Sequence, residues 1–267
     1  MTADDLLLLA QALRARAPAL PAAAGIDVVA HTGSTNSDLL EWRDGQPRAL
    51  FALEQTAGRG RRGREWAARP GDSLTFSLSW RFALRADRLS GLSLAVGVAL
   101  AEALSRLGVG GLALKWPNDL MRDAGHGAGK LGGVLIELSS SAAHTDAVIG
   151  VGLNLAPPPA GRYTHVPVAL FDTTPPREDW LRVAATLLDA LATALTRFET
   201  QGFAAFADRW NALNLHAGLP VEVQGDLHTL SGTCLGVDHD GALRLDCGDR
   251  IERVLAGDVS LRAVQAS

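Results

Sequence analysis

Lysine is almost absent from this sequence. Only Lys115 and Lys130 occur among its 25 basic residues, and the other 23 are arginines. A lysine ammonium is a compact, rotatable point charge, which the planar guanidinium fork does not replace at every site. The two isolated lysines are therefore candidates for a functional site that needs this kind of cation.

Cysteine and long apolar runs are equally scarce. Cys234 and Cys247 are the only cysteines, and no His/Cys cluster has metal-ligand spacing, which argues against a disulfide framework or a zinc site. The N-terminus begins acidic, unlike a secretory signal. No apolar run reaches the roughly 20 residues that a membrane-spanning helix needs. These absences predict a cytoplasmic protein with no membrane partner.

The charge balance limits the classes of partner. The formal net charge is -4, with 47% hydrophobic and 20% charged residues in 267. This composition is typical of a globular protein with a large core. A protein that coats nucleic acid usually has a basic excess across the domain, so that class is disfavoured.

Hydrophobic periodicity predicts a mixed α/β domain followed by a small β domain. Helices are expected at 4–16, from Ser34 or Thr35 onward, and at 87–107, 178–199 and 203–213. Strands are expected at 26–30, 48–55, 73–80, 112–116, 130–138 and 146–155, and the strand at 73–80 is expected to be half-buried. From 220 to 262, short strands separated by glycine and aspartate predict a β-barrel. We place the domains at 1–218 and 219–267.

The segment "GRGRRGREW", Gly58 to Trp66, packs three glycines and four arginines into nine residues. Such a segment resists burial, because glycine is costly to order and guanidinium groups are costly to desolvate. Freed N–H groups and guanidinium forks suit a phosphate or carboxylate, so we expect a bound anion to order this loop. Trp66 either stacks on a base or anchors the loop to the core.

Two other glycine patterns imitate nucleotide-binding motifs. Gly58, Gly60 and Gly63 satisfy G-x-G-x-x-G, but Pro70 and Gly71 follow where a dinucleotide fold requires a helix. The segment "AGHGAGKL" lacks the first glycine and the final Ser/Thr of a phosphate loop. Neither pattern predicts a Rossmann or P-loop fold.

Several short motifs, in order along the chain, resemble the biotin protein ligases. They are Ser34-Thr35-Asn36, Gln55 before the arginine-rich loop, "KWPNDL" from Lys115, "GKLGGVLIE" from Gly129, and "GVGLNL" from Gly150. The resemblance runs from about His31 to Asn154, with a weaker echo in "AGDVSLR" near the C-terminus. It implies an α/β catalytic domain, similar to the class II aminoacyl-tRNA synthetases, with a mixed sheet and flanking helices, and a C-terminal SH3-like barrel.

The resemblance also implies an activity in two half-reactions. Biotin and ATP give biotinyl-5′-adenylate and pyrophosphate, and the biotinyl group then passes to a lysine of the biotin carboxyl carrier domain of acetyl-CoA carboxylase or a related carboxylase. The cofactors implied are ATP and Mg²⁺. The chemistry needs cations and positioned donors rather than an enzyme nucleophile.

Site residues carry over from the matching motifs. The residues implied to bind biotin are Ser34, Thr35, Asn36, Gln55, Gly58, Arg59, Gly60, Arg61, Lys130 and Gly132. The residues implied to bind ATP or the adenylate are Arg61, Arg62, Trp66, Lys115, Asn118, Lys130, Asn154 and Arg262. The residues implied in catalysis are Arg61, Lys115, Asp119 and Lys130, and Asp119 is also a candidate ligand of Mg²⁺.

The sequence departs from the family in two places. A glycine-rich insert, "DAGHGAG", separates Asp119 from Lys130 where the family has a shorter turn. About 25 residues precede the first strand, too few for a three-helix DNA-binding domain. We therefore expect a ligase without repressor function or DNA partner, as a monomer or a homodimer.

Three alternatives remain open on the sequence. A lipoate-type protein ligase shares the fold and the adenylation chemistry. A second alternative is a non-enzymatic, DNA-binding regulator that senses biotin as its corepressor. A module that binds an anion or a nucleic acid through the arginine-rich loop would bind in a salt-dependent way without biotin.

Overall fold

Two β-sheets organise the protein. The structure is a computed structural model, and it describes residues 2–42, 45–66, 70–125, 127–141, 143–159, 161, 163, 165–225, 229–256 and 260–263. The larger sheet has seven strands in the order β1-β2-β3-β7-β6-β5-β4, and the smaller has five in the order β11-β10-β9-β8-β12.

The seven-stranded sheet is mixed. Its strands are β1 Gly25–Thr32, β2 Arg48–Gln55, β3 Ser73–Phe82, β4 Leu112–Lys115, β5 Asp119–Asp123, β6 Ala128–Ser140 and β7 Thr145–Asn154. β1 and β2 run parallel, and all other neighbours are antiparallel. β5 was not predicted, because a five-residue strand between a proline turn and a glycine-rich turn has too little pattern to recognise.

The described part of the chain has five helices; the first four along the chain contact this sheet, whereas the fifth packs mainly on other helices. The five helices are α1 Ala3–Arg16, α2 Thr35–Glu41, α3 Leu92–Arg106, α4 Arg177–Gln201 and α5 Ala204–Ala212. A capping box between Thr2 and Asp5 begins α1, which satisfies N–H groups that the first turn leaves unpaired. Phe76 stacks on Phe51, whose ring meets Trp180 of α4 edge-on, so α4 covers one face of the central strands.

The expectation that β3 is half-buried was wrong. Its alternation of polar and apolar residues is real, but the strand is buried at nearly every position from Ser73 to Phe82. Leu74, Phe76 and Leu78 belong to the core cluster, whereas Ser77 hydrogen-bonds Thr35 and Asn36 of α2. The polar face of β3 therefore faces other protein groups and a cleft rather than open solvent.

The predicted helix at 87–107 is interrupted. A 3₁₀ turn spans Ala86–Leu89, and α3 begins only at Leu92. Gly91 has φ 78°, and a Cβ there would lie 2.5 Å from Cγ of Phe203, so the left-handed break is built on glycine. Residues 86–106 are long and apolar enough to cross a membrane, but 67% of an apolar 18-residue window within them is buried inside the protein, as in a core helix.

A β-bulge between β5 and β6 sets the direction of side chains near Lys130. Leu120 pairs with Gly132 and Met121 with Lys130, so Leu131 is the extra residue. A bulge reverses the alternation of faces beyond it. Gly133, rather than Gly132, therefore lies beside Lys130: a Cβ on Gly133 would be 3.4 Å from Lys130 Nζ.

The C-terminal sheet is antiparallel, as expected of an SH3-like domain. Its strands are β8 Pro220–Gln224, β9 Thr229–Val237, β10 Leu243–Asp246, β11 Ile251–Val254 and β12 Ser260–Ala263. Its apolar residues, Val221 and Leu243 among them, join the same core cluster as α3. Trp116 also donates from Nε1 to the carbonyl of Gly241 at 3.3 Å. The boundary between 218 and 219 stays a prediction.

Candidate active site

A cleft of about 430 Å³ opens on the sheet where α2, the arginine-rich loop and the ends of β4 to β7 converge. This volume suits a small-molecule ligand. Most of the residues singled out from the sequence line it. They are Ser34, Thr35, Asn36, Gln55, Arg59, Gly60, Arg61, Arg62, Trp66, Lys115, Asn118, Asp119, Lys130 and Asn154.

The arginine-rich loop, Gly58 to Trp66, lies over this cleft and has contacts of its own. A short hairpin closes through the Arg59–Glu65 bridge, and Arg59 pairs with Glu137 of β6 at 2.9 Å. Arg61 Nη1 donates to Asn118 Oδ1 at 3.2 Å. These contacts act on the loop in addition to any bound anion, and the expectation that an anion orders it stays a prediction.

Arg62 has an unusual backbone conformation for a residue that is not glycine. Its φ and ψ are 58° and 38°, inside a one-turn 3₁₀ helix at Arg61–Gly63. The left-handed region costs an ordinary L-residue on the order of 1–2 kcal/mol. Strain of this kind tends to accumulate where a loop positions side chains for a ligand.

Trp66 forms one wall of the cleft. Its ring lies against the backbone of β7, since a Cβ on Gly152 would meet Cε2 at 2.6 Å. Nε1 donates to Ser73 Oγ at 3.3 Å, and Lys130 Nζ lies 5.9 Å from the ring centroid. Trp66 thus anchors the loop and still presents a surface to the cleft, so both interpretations of this residue fit.

Both lysines of the chain converge on Asp119. Lys130 Nζ lies 2.6 Å from Asp119 Oδ1, and Lys115 Nζ lies 3.9 Å from Oδ2. Lys115 is buried, and burial is the main cause that lowers its pKa to about 8; Asp119 opposes this shift and Lys130 adds to it. The arrangement concentrates positive charge at one point of the cleft, where an anion would be stabilised.

Two histidines flank Lys115. His165 Nε2 lies 2.7 Å from Lys115 Nζ, and burial, followed by the charge of Lys115, lowers the pKa of His165 to about 4. The pKa of His216 is also lowered to about 4, first by burial and then by Lys115. Both imidazoles are therefore neutral near pH 7, and a neutral ring nitrogen can accept a hydrogen bond.

The opposite end of the cleft is a buried polar network. Gln55 Oε1 accepts from the backbone N–H and hydroxyl of Thr35 at 2.8 and 3.1 Å. Thr35 Oγ1 lies 2.7 Å from Ser77 Oγ, which donates to Asn36 Oδ1 at 2.5 Å. A ligand with several hydrogen-bonding groups would be recognised here, because an analogue without them leaves buried partners unsatisfied.

Comparison with known proteins identifies the family. The biotin/lipoate A/B protein ligase family matches residues 27–154, and the biotin protein ligase C terminal domain matches residues 216–262. The bifunctional ligase/repressor BirA of Escherichia coli is 32% identical in an alignment of 249 positions that covers 87% of this chain and 72% of BirA. The biotin--[acetyl-CoA-carboxylase] ligase of Mycobacterium tuberculosis is 35% identical, over 88% of each chain. The chain belongs to the biotin protein ligases.

A solved structure of the family has the same fold. The biotin protein ligase from Aquifex aeolicus, in complex with biotin and ATP, matches with a TM-score of 0.74 and 26% identity, over 90% of this chain and 99% of that chain. The expected fold class, a mixed α/β domain with a separate C-terminal β domain, is thereby confirmed.

Three of the residues assigned by resemblance lie outside the lining of the cleft: Gly58, Gly132 and Arg262. Gly58 has a local role, because a Cβ there would meet the carbonyl of Trp66 at 2.6 Å. Gly132 is turned away by the bulge. Arg262 is exposed on β12, but its charge contributes to the lowered pKa of Lys115. Of "AGDVSLR", residues 257–259 lie outside the described residues.

Asn154 is committed to the protein backbone. Its Nδ2 donates to the carbonyls of Val168 and Lys130 at 3.0 and 3.3 Å. It thereby holds the segment that follows β7 against β6, a structural role beside the predicted contact with the nucleotide.

Asp119, the candidate ligand of Mg²⁺, has no cluster of further metal ligands around it among the described residues. Within the described part of the chain, no group of three or more His, Cys, Asp or Glu could hold a metal ion. Asp119 is a single carboxylate already shared between two ammonium groups. Mg²⁺ in nucleotide sites is bound through one or two carboxylates together with substrate phosphates and water, so such an ion would have to arrive with ATP.

Sequence reasoning missed several lining residues. Gly133, Gly150 and Gly152 keep the floor of the cleft open, since Cβ atoms there would contact Lys130, Asn36 and Trp66 respectively. Those glycines lie inside the quoted motifs and could have been noticed. His165 lies in a proline-rich loop with no periodic signal, and only the folded chain brings it to Lys115.

Proposed function

We propose that this protein activates biotin with ATP to form biotinyl-5′-adenylate and transfers the biotinyl group to a lysine of a biotin carboxyl carrier domain. The observation that carries the proposal is one cleft that joins a buried hydrogen-bonding pocket to a cluster of Arg61, Lys115 and Lys130. The hydrogen-bonding pocket suits a neutral polar ring, and the cluster of cations suits a carboxylate beside phosphates.

In the first half-reaction, a carboxylate oxygen of biotin attacks the α-phosphorus of ATP, and pyrophosphate leaves with the electron pair of the broken P–O bond. Two anions must be held in contact and in line, so the protein supplies position and positive charge rather than a nucleophile. Lys130 and Arg61 neutralise the carboxylate and the α-phosphate, and Lys115 the remaining phosphates. Asp119 orients the two ammonium groups.

In the second half-reaction, the neutral amine of an acceptor lysine attacks the acyl carbon of the adenylate. The C–O bond to phosphate breaks, AMP leaves, and the amine loses a proton as the amide forms. The cations that stabilised the adenylate also stabilise the departing phosphate. Asp119 is the carboxylate next to the two lysines. Its ion pair with Lys130 favours a role in orienting the ammonium groups over a role as the base that deprotonates the acceptor amine.

Ligand assignments follow the two ends of the cleft. We assign the ureido ring of biotin to the network of Ser34, Thr35, Asn36 and Gln55, with Arg59 and Gly60 closing over it. The adenine ring is assigned to Trp66, which presents an aromatic face. The phosphates are assigned to the lysines, Arg61, Arg62 and Asn118. Arg262 adds positive charge from β12, and any Mg²⁺ is carried in by the nucleotide.

A cytoplasmic location fits this chemistry. The reaction consumes ATP, and Cys234 and Cys247 are both free thiols, as is usual in reducing compartments. The carrier domain is proposed as the protein partner. The absence of a DNA partner and the choice between monomer and homodimer stay predictions.

The test is transfer to a purified carrier domain. Incubation with biotin and ATP should add one biotinyl group to one lysine of the carrier domain, as seen by intact-mass spectrometry, and lipoate should not replace biotin. Labelling with lipoate would favour the lipoate-ligase alternative. Biotin binding with no transfer and no adenylate would favour a non-enzymatic sensor.

A further inference from the structure

His165 is a polar residue of the cleft to which neither the motifs nor the family resemblance assigns a role. Its side chain comes from the loop after β7 and reaches Lys115, with 2.7 Å between Nε2 and Nζ. His165 itself lines the cleft. Its position therefore suits a local contact with Lys115 rather than a general role in stabilising the fold.

The segment that carries His165 is fixed next to the other lysine. The backbone N–H of Lys130 donates to the carbonyl of Val166 at 2.8 Å, and that of Val168 donates to the carbonyl of Lys130 at 2.9 Å. Asn154 Nδ2 adds a bond to the carbonyl of Val168. One short segment thus contacts Lys130 through its backbone and Lys115 through an imidazole.

Lys115 needs an acceptor in this position. Its side chain is only 7% exposed, so water can satisfy little of its ammonium. Asp119 Oδ2 lies 3.9 Å away, beyond hydrogen-bonding distance, and Oδ1 is engaged by Lys130 at 2.6 Å. A buried ammonium without a partner is costly. His165 supplies the hydrogen bond that Asp119 does not.

The protonation states agree with a hydrogen bond in which Lys115 donates and His165 accepts. The half-buried imidazole beside Lys115 has a pKa lowered to about 4, so it is neutral at pH 7 and its Nε2 can accept when Nδ1 carries the proton. The Lys115 ammonium has three N–H donors. It can donate one to His165 and direct the others toward the cleft.

We propose that His165 is a positioning residue that holds the Lys115 ammonium at the phosphate end of the cleft, so that ATP meets a cation already in place. The inference rests on the proposed function, because it assumes that Lys115 acts on the phosphates. It predicts that the role of His165 is confined to the nucleotide and does not extend to biotin binding.

A kinetic experiment separates positioning from folding. His165→Leu keeps similar bulk without an acceptor, and His165→Gln restores an acceptor oxygen. In biotin-dependent ATP–pyrophosphate exchange, His165→Leu should raise the KM for ATP about tenfold, the scale expected for one hydrogen bond to a charged group. His165→Gln should recover most of this loss, and biotin affinity measured without ATP should stay unchanged. His144→Ala, at an exposed hairpin, is the matched control.

The small number of lysines allows a direct test of the contact. Protein labelled with ¹⁵N at lysine Nζ has only two side-chain ammonium groups, and the Lys115→Arg variant assigns them. His165→Leu should shift the Lys115 resonance and leave that of Lys130 in place. Two unchanged resonances would overturn the proposal whatever the kinetics show.

The outcomes distinguish the two proposals. If wild-type protein exchanges pyrophosphate and His165→Leu matches it in KM for ATP, the role of His165 is overturned and the proposed function stands. An equal loss of biotin affinity and of ATP affinity in His165→Leu would also overturn it, since that result indicates a general structural role. If the wild-type protein shows no biotin-dependent exchange, the proposed function fails and this inference fails with it.

Discussion

The fold changes the chemistry of Lys115 by burying its ammonium group. An ammonium that is protonated to about pH 10.5 in solution has a pKa near 8 here, mainly because it is buried, and Asp119 compensates only in part. Below about pH 8 the group carries the charge that phosphates need, and above it the charge is lost. A folded pKa below the unfolded value also means that burial of Lys115 costs stability near pH 7, and this cost is relieved as pH rises from about 8 to 10.5.

This shift predicts a pH dependence of ATP use. kcat/KM for ATP, which reports the free enzyme, should fall as pH rises through about 8 in the exchange reaction. Lys115→Arg, whose guanidinium stays charged, should show no such fall even if its rate is lower. The measurement is the pH profile of both proteins between pH 6 and 10; identical profiles would show that another group controls the fall.

Gly152 offers a second test at the scale of one residue. A Cβ at this position would lie 2.6 Å from the Trp66 ring, so Gly152→Ala should displace the ring that we assign to adenine. We expect the KM for ATP to rise about tenfold, the scale of one stacked base. Gly33→Ala, where nothing lies within 4 Å of the new Cβ, is the control and should match wild type.

Single residues were predicted unevenly for physical reasons. Lys115, Lys130 and Asp119 could be proposed because the chain has only two lysines and all three residues lie in motifs that together resemble a known family. Gly132 was carried over from the matching motif, and no sequence pattern reveals the bulge at Leu131 that puts Gly133 rather than Gly132 beside Lys130. His165 depends on a contact between positions 50 residues apart, which no local pattern encodes.

The arginine-rich loop is the element on which the site depends. Its ion pair between Arg59 and Glu137 joins side chains that are 42% and 27% exposed, and pairs of this kind contribute up to about 1 kcal/mol. This ion pair therefore holds the loop over the cleft only weakly, and we expect a ligand to strengthen the hold. This combination allows entry and still retains an adenylate.

Trypsin can measure how well the loop is held, because it cleaves after arginine. Glu137→Ala should raise the cleavage rate within residues 58–66 about two- to fivefold, the effect expected from losing an exposed ion pair. Biotin with ATP should protect both proteins. Glu54→Ala, an exposed carboxylate on β2, is the control, and equal cleavage of all three proteins would show that Glu137 does not hold the loop.

The start of α3 is a second element that can be tested. Gly91→Ala places a side chain in the left-handed region and within 2.5 Å of the buried Phe203, so we expect a loss of about 2–4 kcal/mol in the free energy of unfolding. Gly108→Ala has the same positive φ but nothing within 4 Å, and should cost only about 1 kcal/mol. Urea denaturation of both variants measures the difference. Equal midpoints would show that a clash with Phe203 does not add to the cost at Gly91.

Element boundaries followed the sequence where periodicity was strong. β2 was predicted over its observed residues, because its apolar run is bounded on both sides by turn residues. The helix at 87–107 was predicted without its break, since Gly91 is tolerated by a helical pattern and its left-handed conformation is required only by packing against Phe203. β3 was expected to be half-buried because alternation does not tell whether polar residues face solvent or a cleft.

At the scale of the whole molecule, the seven-stranded sheet explains why motifs spread over 120 residues act together. The central strands β3, β7, β6 and β5 are neighbours in the sheet but not all in sequence. Their ends, together with α2 and the arginine-rich loop, meet at one cleft. Periodicity alone predicted the strands of this sheet except β5, and it did not predict their order; the resemblance to a known family supplied the arrangement.

The most direct measurement of the central claim is biotin-dependent exchange of labelled pyrophosphate into ATP. The account predicts exchange by the wild-type protein only when biotin is present, and a loss of at least tenfold in Lys130→Ala, which removes the cation paired with Asp119. Exchange that does not need biotin, or full exchange by Lys130→Ala, would contradict the claim that this cleft joins a carboxylate to a nucleotide through its lysines.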